Sequence, residues 1–394
     1  VLLQATKLQK STPETLTNLG LAHMALGALP QAVQALQHAH TLNPHDARLA
    51  TNYGTVLTDM GQYKAAEKLF LQAEASPKAS VLEQARAAFN LGTLLLAQGY
   101  FAQGWSCFEA RKHLLPSAAP QGLPAWKGQA QTHPVLLYAE QGLGDCLQFL
   151  RYVPAVAARA PVVLVVPVSA RNFVERIVFE GAQSVRVLAE GEAVHATGAR
   201  TACSLLSLPY VLGCAGPFAW APNLRGVWPT APKRAQPLRV GLCWAGNPSY
   251  RFDKRRSLPP EVLAPLGQSA GLCFQSLQQG AQACPLTLLP LPEGDLLQTA
   301  CLMAELACVV TVDTALAHLA GLLGKPTFLL NRFGGDWRWA QGSTARGPEG
   351  LVFSKWYPRT QVITQPEPGE GAAPWRVPVQ QVSAALCKLI KKGS

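Results

Sequence analysis

A glycine returns in the same company three times near the start of the chain, and this recurrence restricts the possible folds more than any other feature. With Pro13, Ala47 and Ala85 as starts, the seventh position holds Leu19, Tyr53 and Leu91, and the eighth Gly20, Gly54 and Gly92. The fifteenth holds Gly27, Gly61 and Gly99, and the twenty-fourth Leu36, Phe70 and Phe108; Pro44 and Pro116 close the first and third units. The starts lie 34 and then 38 residues apart, with four residues inserted near Ser76–Ser80. Self-similarity at such a period marks a solenoid, in which each unit buries its apolar face against its neighbours.

The units resemble the tetratricopeptide repeat, a helix pair of about 34 residues. The resemblance implies that the small residue at position eight lets the two helices approach. The glycine at fifteen then serves the turn between them, and the large residue at twenty-four fills the groove. Val1–Lys10 is expected to supply the second helix of a preceding unit, and the array to occupy 1–117. Stacked units form a concave surface suited to a peptide or another protein. Position six is Asn in all three, Asn18, Asn52 and Asn90. Such amides can donate to and accept from the backbone of an extended peptide whatever its sequence. The ladder resembles the one lining the superhelix of O-GlcNAc transferases; the same asparagines would equally serve repeat stacking.

At 394 residues the chain exceeds the size of one domain. Apolar residues make up 48% and charged residues 14%, enough to fill packed cores and too little charge for a disordered chain. The net charge of +11 implies an anionic partner, and it is unevenly spread: nine basic and seven acidic residues up to residue 120, twenty-five and sixteen beyond it. The ten cysteines form no CxxC pair and no Cys and His cluster at zinc spacing. Cys243, Cys301 and Cys308 lie in apolar runs and read as small core hydrophobes, and a reducing cytoplasm is the expected setting. No apolar run reaches the ~18 residues of a membrane span, and the N-terminus lacks the features of a signal peptide. The chain begins at Val1 rather than Met, which suggests trimming.

After a Pro- and Gly-rich linker at 118–133 the pattern changes to alternating strands and helices. Pro134–Ala139, Val162–Val166 and Val185–Leu188 read as strands, Cys146–Arg159 and Ala170–Ile177 as helices. A second break at Pro229–Pro237 precedes strands at Leu238–Trp244, Leu272–Leu277, Cys308–Val312 and Pro326–Leu330, with helices at Leu296–Leu306 and Thr314–Leu323. The expectation is an all-α repeat superhelix followed by an α/β region of the GT-B kind. Its two Rossmann-like domains, 134–232 on the acceptor side and 233–394 on the donor side, face each other across a cleft at the C-terminal ends of their sheets. A last helix near Val379–Lys391 is expected to cross back and brace the first half.

Three segments carry chemistry. In Cys308–Leu330 a buried strand ends at Asp313, a helix begins at Thr314, and His318 lies one turn on. A helix N-terminus at the mouth of a parallel sheet is a seat for a diphosphate. The stretch resembles the Asp-Thr-x-x-x-His-Leu donor motif of the bacterial heptosyltransferase-like enzymes, glycosyltransferase family nine. The resemblance implies that Asp313, Thr314 and His318 hold the diphosphate of a nucleotide sugar; Ala315 stands where heptosyltransferases carry Gly. In Tyr138–Tyr152, Gly142 and Gly144 shape a strand-to-helix turn that opens on Asp145. It resembles the Gly-Asp turn of the same family, which implies that Asp145 is the general base for the acceptor hydroxyl. Gln148 and Arg151, further along that helix, are candidate donor or acceptor contacts. In Trp244–Ser257 a loop with Asn247, Arg251, Lys254, Arg255 and Arg256 follows a strand, and such a cluster can neutralise a diphosphate in place of a metal ion. It matches the family's basic loop, with Lys254 the first choice among the four. Gln278, at a strand end, is a candidate contact for the nucleotide base. Asp336-Trp337-Arg338-Trp339 and Trp356-Tyr357-Pro358 look like elements of repeat-bearing relatives, where such aromatics usually pack structure; a sugar-binding or acceptor role is the alternative.

The absence of an Asp-x-Asp triplet argues against a metal-dependent GT-A enzyme. The reading is a cytoplasmic, bacterial, inverting glycosyltransferase with no metal or other cofactor, moving a sugar from a nucleotide donor to a protein presented by the repeats; flagellin or an adhesin is a natural acceptor. The alternatives are a heptosyltransferase-like enzyme acting on a saccharide or lipopolysaccharide, and a non-catalytic scaffold whose transferase region has decayed. Nucleic acid is not an expected partner, because the basic residues are not interleaved with aromatics along an open face.

Overall fold

The fold is taken from a computed structural model of the chain, which describes residues 12–115, 122–180, 184–226, 237–250, 252–280, 283–369 and 371–393. The helix expected at Val1–Lys10, Pro116, Arg251 and most of the second linker lie outside the described residues. Three helix pairs come first: α1 (Pro13–Leu26) with α2 (Leu29–Leu42), α3 (Ala47–Asp59) with α4 (Tyr63–Glu74), and α5 (Val81–Gln98) with α6 (Phe101–Phe108). The eighth and twenty-fourth positions of each unit meet as expected. A Cβ on Gly20 would stand 2.5 Å from Leu36 Cγ, one on Gly54 2.6 Å from Phe70 Cε1, and one on Gly92 2.7 Å from Phe108 N, so only glycine allows the helices this close. Gly27 and Gly99 end α1 and α5 at φ 92° and 93°, the left-handed conformation that closes a helix C-terminus. The four-residue insertion becomes an extra turn at the start of α5, opened by a Ser80 and Glu83 capping box.

The rest of the chain is α/β. A four-stranded parallel sheet, in the order β3-β2-β1-β4, is built from β1 (Val135–Tyr138), β2 (Val162–Val166), β3 (Val185–Ala189) and β4 (Thr201–Ser204). The helix after β1 begins earlier than expected, as α7 (Leu143–Phe149), and runs on through Leu150–Tyr152 into Val153–Ala157. An eight-stranded sheet follows. It comprises β5 (Leu238–Cys243), β6 (Leu272–Ser276), β7 (Leu288–Leu289), β8 (Cys308–Val312), β9 (Thr327–Asn331), β10 (Thr344–Arg346), β11 (Val352–Ser354) and β12 (Thr360–Thr364), in the order β10-β11-β12-β9-β8-β5-β6-β7. Its centre is parallel, and β10 and β11 are antiparallel. α8 (Leu296–Glu305) precedes β8 and α9 (Ala315–Leu322) follows it.

Two expectations are corrected. The last helix, α10 (Arg376–Gly393), does not brace the first half: Val379, Val382 and Leu386 pack with Val240, Leu242, Phe274 and Ile363 against the sheet of their own half. Cys301 is exposed, because α8 turns its neighbours Ala300, Met303 and Ala304 inward at helical spacing; Cys243 and Cys308 are buried as expected, and all ten cysteines are free thiols.

The repeats are not a detached module. Phe101, Trp105 and Phe108 belong to the same core cluster as Phe149 of the first half and Trp337, Trp339, Trp356 and Tyr357 of the second. The Trp105 ring meets Trp337 edge-on at 5.3 Å and Phe149 at 6.0 Å. Arg111, 1% exposed just after α6, donates to Glu140 at 2.6 Å and to Ser207 at 2.8 Å. The turn inside each of the three helix pairs also rests on the second half. A Cβ on Gly27 would lie 2.6 Å from the Gly369 carbonyl, one on Gly334 2.7 Å from the Asp59 carbonyl, and one on Gly342 2.6 Å from the Leu96 carbonyl beside Gly99.

Candidate active site

Two strand-to-helix turns meet where the halves face each other. In the first half β1 leads through Glu140 and Gln141 into α7. Gln141 holds φ 72°, a left-handed conformation that costs a non-glycine residue about 1–2 kcal/mol. This turn aims Asp145 into the interface, where Gly142 N donates to its Oδ2 at 3.2 Å. In the second half β8 ends at Val312, Asp313 follows it, and Thr314 caps α9, its Oγ1 accepting from Leu316 N at 3.3 Å. Gly144 lies directly over α9: a Cβ there would be 3.5 Å from Ala315 Cα and 3.4 Å from the His318 Nε2. Asp145, Asp313, Thr314, Ala315 and His318 are therefore brought together from both halves.

The side chain that ties them is Arg338, in the short turn Trp337–Trp339. Its Nη2 donates to Asp145 Oδ1, its Nε to Gln148 Oε1 at 2.5 Å and its Nη1 to Asp336 Oδ1 at 2.8 Å. Trp339 Nε1 donates to Asp313 Oδ1 at 2.8 Å, and its ring lies 5.4 Å from that of His318. Burial raises the proton affinity of Asp145, with Arg338 acting against it and Asp336 with it. Asp313 is likewise pushed up by burial and by the neighbouring Asp336. Burial, and then the charges of Arg338 and Arg151, hold His318 well below the usual histidine range; it is a neutral imidazole whose Nδ1 shares a 3.0 Å hydrogen bond with the Tyr357 hydroxyl. Burial works against the charge of Arg338, yet Asp336 and Asp145 carry its proton affinity above the ordinary arginine value.

The remaining candidates divide. Lys254 and Asn247 are exposed after β5 with no contact to the start of α9 among the described residues, whereas Arg256 reaches the strand-to-helix junction, where it donates to the Asp313 carbonyl at 3.0 Å. Arg255 lies instead beneath the repeats, paired with Asp59 at 2.6 Å. Gln278 is buried, and its Oε1 accepts from Trp244 N at 3.2 Å and Ala245 N at 3.0 Å, which fixes the start of the basic loop. Gln148 and Arg151 are buried between the halves. The Arg151 Nη1 donates to the Phe218 carbonyl at 2.5 Å and the Trp356 carbonyl at 3.2 Å, with its guanidinium 4.9 Å from the Trp356 and Tyr357 rings. In the array, Asn18 is exposed, Asn52 half-buried, and Asn90 donates to Thr55 of the preceding unit at 3.0 Å. Among the described residues no three His, Cys, Asp or Glu side chains are placed to hold a metal ion, and no helix is long and apolar enough to cross a membrane.

Sequence reasoning took Asp336-Trp337-Arg338-Trp339 mainly for packing. Trp337 does pack, while Asp336, Arg338 and Trp339 line the site; a charged residue set between two tryptophans was the available signal.

The tetratricopeptide repeat family model matches residues 23–81. The N-terminal array is a tetratricopeptide repeat. Protein FlbA of Caulobacter vibrioides is 23% identical over 95% of this chain and 72% of its own. Among solved structures, the iron-containing heptosyltransferase TibC in complex with ADP-D-beta-D-heptose is 13% identical over 68% of this chain and 78% of its own, with a TM-score of 0.45. The glycosyl transferase family 9 protein of Veillonella parvula is 11% identical over 68% and 99%, with a TM-score of 0.44. The chain spans less than two thirds of two further solved chains that it matches, 65% of MamA and 59% of TibC from enterotoxigenic E. coli. The tetratricopeptide array is followed by the α/β region of two Rossmann-like halves that a GT-B arrangement requires.

Proposed function

We propose that the chain is a glycosyltransferase that moves a sugar from a nucleotide-diphosphate donor to a hydroxyl, with inversion and without a metal ion, and that the acceptor is a protein held by the repeats. The observation that carries this reading is the juxtaposition of Asp145 with the Thr314-capped start of α9, one from each half. A carboxylate facing a helix N-terminus across a cleft places a proton acceptor opposite a diphosphate seat. Asp145 takes the proton of the acceptor hydroxyl as that oxygen attacks the anomeric carbon, and the bond to the leaving diphosphate breaks. The positive N-terminal end of α9 and the Thr314 hydroxyl receive the diphosphate. Lys254 and Arg256 supply counter-charge as the leaving group develops its own. His318, neutral and joined to Tyr357, contributes hydrogen bonding rather than charge. Ten free thiols suit the cytoplasm, where nucleotide sugars are made available.

Thermal denaturation with UDP, ADP, GDP, CMP or dTDP tests the donor side. A ligand at about 100 times its Kd adds about 2.7 kcal/mol to stability, so one nucleotide should raise the Tm by several degrees. Failure of all five would overturn the reading. Asp145→Ala should abolish nucleotide release from the matching sugar donor and keep the nucleotide-induced Tm rise; undiminished turnover would remove Asp145 as the base. A variant with Asn18, Asn52 and Asn90 all changed to Ala should lose transfer to protein and keep transfer to a free saccharide. Loss of neither would transfer the proposal to a saccharide acceptor.

A further inference from the structure

Arg338 joins both halves of the site through one planar group. Its three side-chain nitrogens are each committed, Nε to Gln148 and Nη2 to Asp145 in the first half, Nη1 to Asp336 in its own turn. The guanidinium is further fixed 4.3 Å over the Trp337 ring, which is itself wedged against Trp105 of the repeats. Asp145 is thereby held at both oxygens: Oδ2 accepts from Gly142 N, and Oδ1 from Arg338. A carboxylate with one contact can rotate, whereas one clamped at both ends presents a fixed lone pair.

We infer that Arg338 is a positioning residue for Asp145, so that the base is completed only when the second half supplies this guanidinium to the first. The inference rests on the reading of Asp145 as base. The charges around Asp145 define what Arg338 does. Glu140 and Cys146 flank it on its own segment, Asp336 faces it from the turn, and Asp313 and His318 face the interface from the strand-to-helix junction of the second half; Arg151 lies further along the first-half helix. Three aspartates thus surround one guanidinium. Removing that cation leaves Asp145 with burial and the charges of Asp336 and Glu140, which favour its protonated form, against the Gly142 amide alone. Lysine in its place retains charge but has no planar fork with which to reach Asp145, Gln148 and Asp336 together.

The test combines turnover with a titration that needs no turnover. Release of nucleoside diphosphate from UDP-, ADP-, GDP- and dTDP-hexose is followed against pH for wild type, Arg338→Met and Arg338→Lys. The Asp145 carboxyl is titrated by carbon-13 NMR in the same proteins, assigned through Asp145→Asn. Arg338→Met should move the Asp145 midpoint and the acid limb of kcat/KM up by about one pH unit or more, the range an adjacent opposite charge supplies. Its kcat should fall at least about tenfold, within the span associated with a general base, with KM little changed. Arg338→Lys should keep the midpoint near wild type and still lose kcat. An unmoved midpoint in Arg338→Met overturns the inference. A wild type that releases no nucleotide from any donor overturns the transferase reading instead, and the NMR midpoints then decide the role of Arg338 alone. Should Arg338→Met fail to fold, an Arg338→Lys variant with wild-type kcat overturns the inference.

Discussion

Gly144 lies so close over His318 that a methyl group on the glycine would stand 2.9 Å from the imidazole Cδ2. The two facing turns approach each other through that missing side chain. Gly144→Ala should force them apart at a cost of about 1–3 kcal/mol, read as a lower Tm. Because Asp145 is the next residue, turnover should fall as well. A variant with unchanged Tm and turnover would mean that the interface yields freely.

His318 gives stability a dependence on pH. Burial, and then Arg338 and Arg151, keep its imidazole neutral in the folded chain. The unfolded chain binds a proton near pH 6.5 that the folded chain does not, so this contribution is complete above that pH and declines as pH falls below it. His318→Gln should therefore lose less stability than wild type between about pH 7.5 and about pH 5, measured as urea midpoints. Equal losses would assign the acid sensitivity to other groups.

Asp59 reaches from the second repeat to two arginines, Arg255 at 2.6 Å and Arg332 at 3.7 Å. Burial, and then Arg332, act against the charge of Arg255, which Asp59 supports. Asp59→Ala leaves that buried cation unpaired and should cost about 3–5 kcal/mol in denaturant unfolding. Adding Arg255→Met should recover much of the loss, and a strictly additive double variant would rule out the coupling.

Deleting residues 1–117 strips Phe101, Trp105 and Phe108 from the central core. The remaining fragment should bind a hydrophobic dye and unfold without a sharp transition. A soluble fragment with cooperative unfolding would show instead that the two halves close over Trp337 and Trp356 by themselves.

The repeats were legible because each glycine at position eight has its partner sixteen residues on, so the pattern is local. The buried strands Val162–Val166 and Cys308–Val312 were readable to the residue, since both faces are covered and the runs are largely β-branched and, apart from Thr311, apolar. The turns holding Asp145 and Thr314 could be read from Gly142, Gly144 and the Asp-Thr pair. What sequence did not reveal is pairing at a distance. Arg255 looked like a phosphate ligand, but its partner Asp59 is 196 residues away, and Arg338 looked like part of an aromatic packing run, while its partner Asp145 is 193 residues away. A three-residue turn has no periodicity, so nothing in its spacing separates Trp337, which packs, from Arg338, which points into the site. Cys301 is a different case: the helical spacing of Ala300, Met303 and Ala304 places it on the outer face, and the period outweighs the apolarity of the run.

A free solenoid behaves as a spring, able to stretch, twist and fray from its ends one coil at a time. Here the turn inside each of the three helix pairs bears on the second half, at Gly27, at Asp59 and at Gly99. The coils cannot extend without lifting off that support, so the array should act as a rigid arm. Amide exchange should be as slow in the first described repeat as in the third, and a load on the arm would be felt at the cleft.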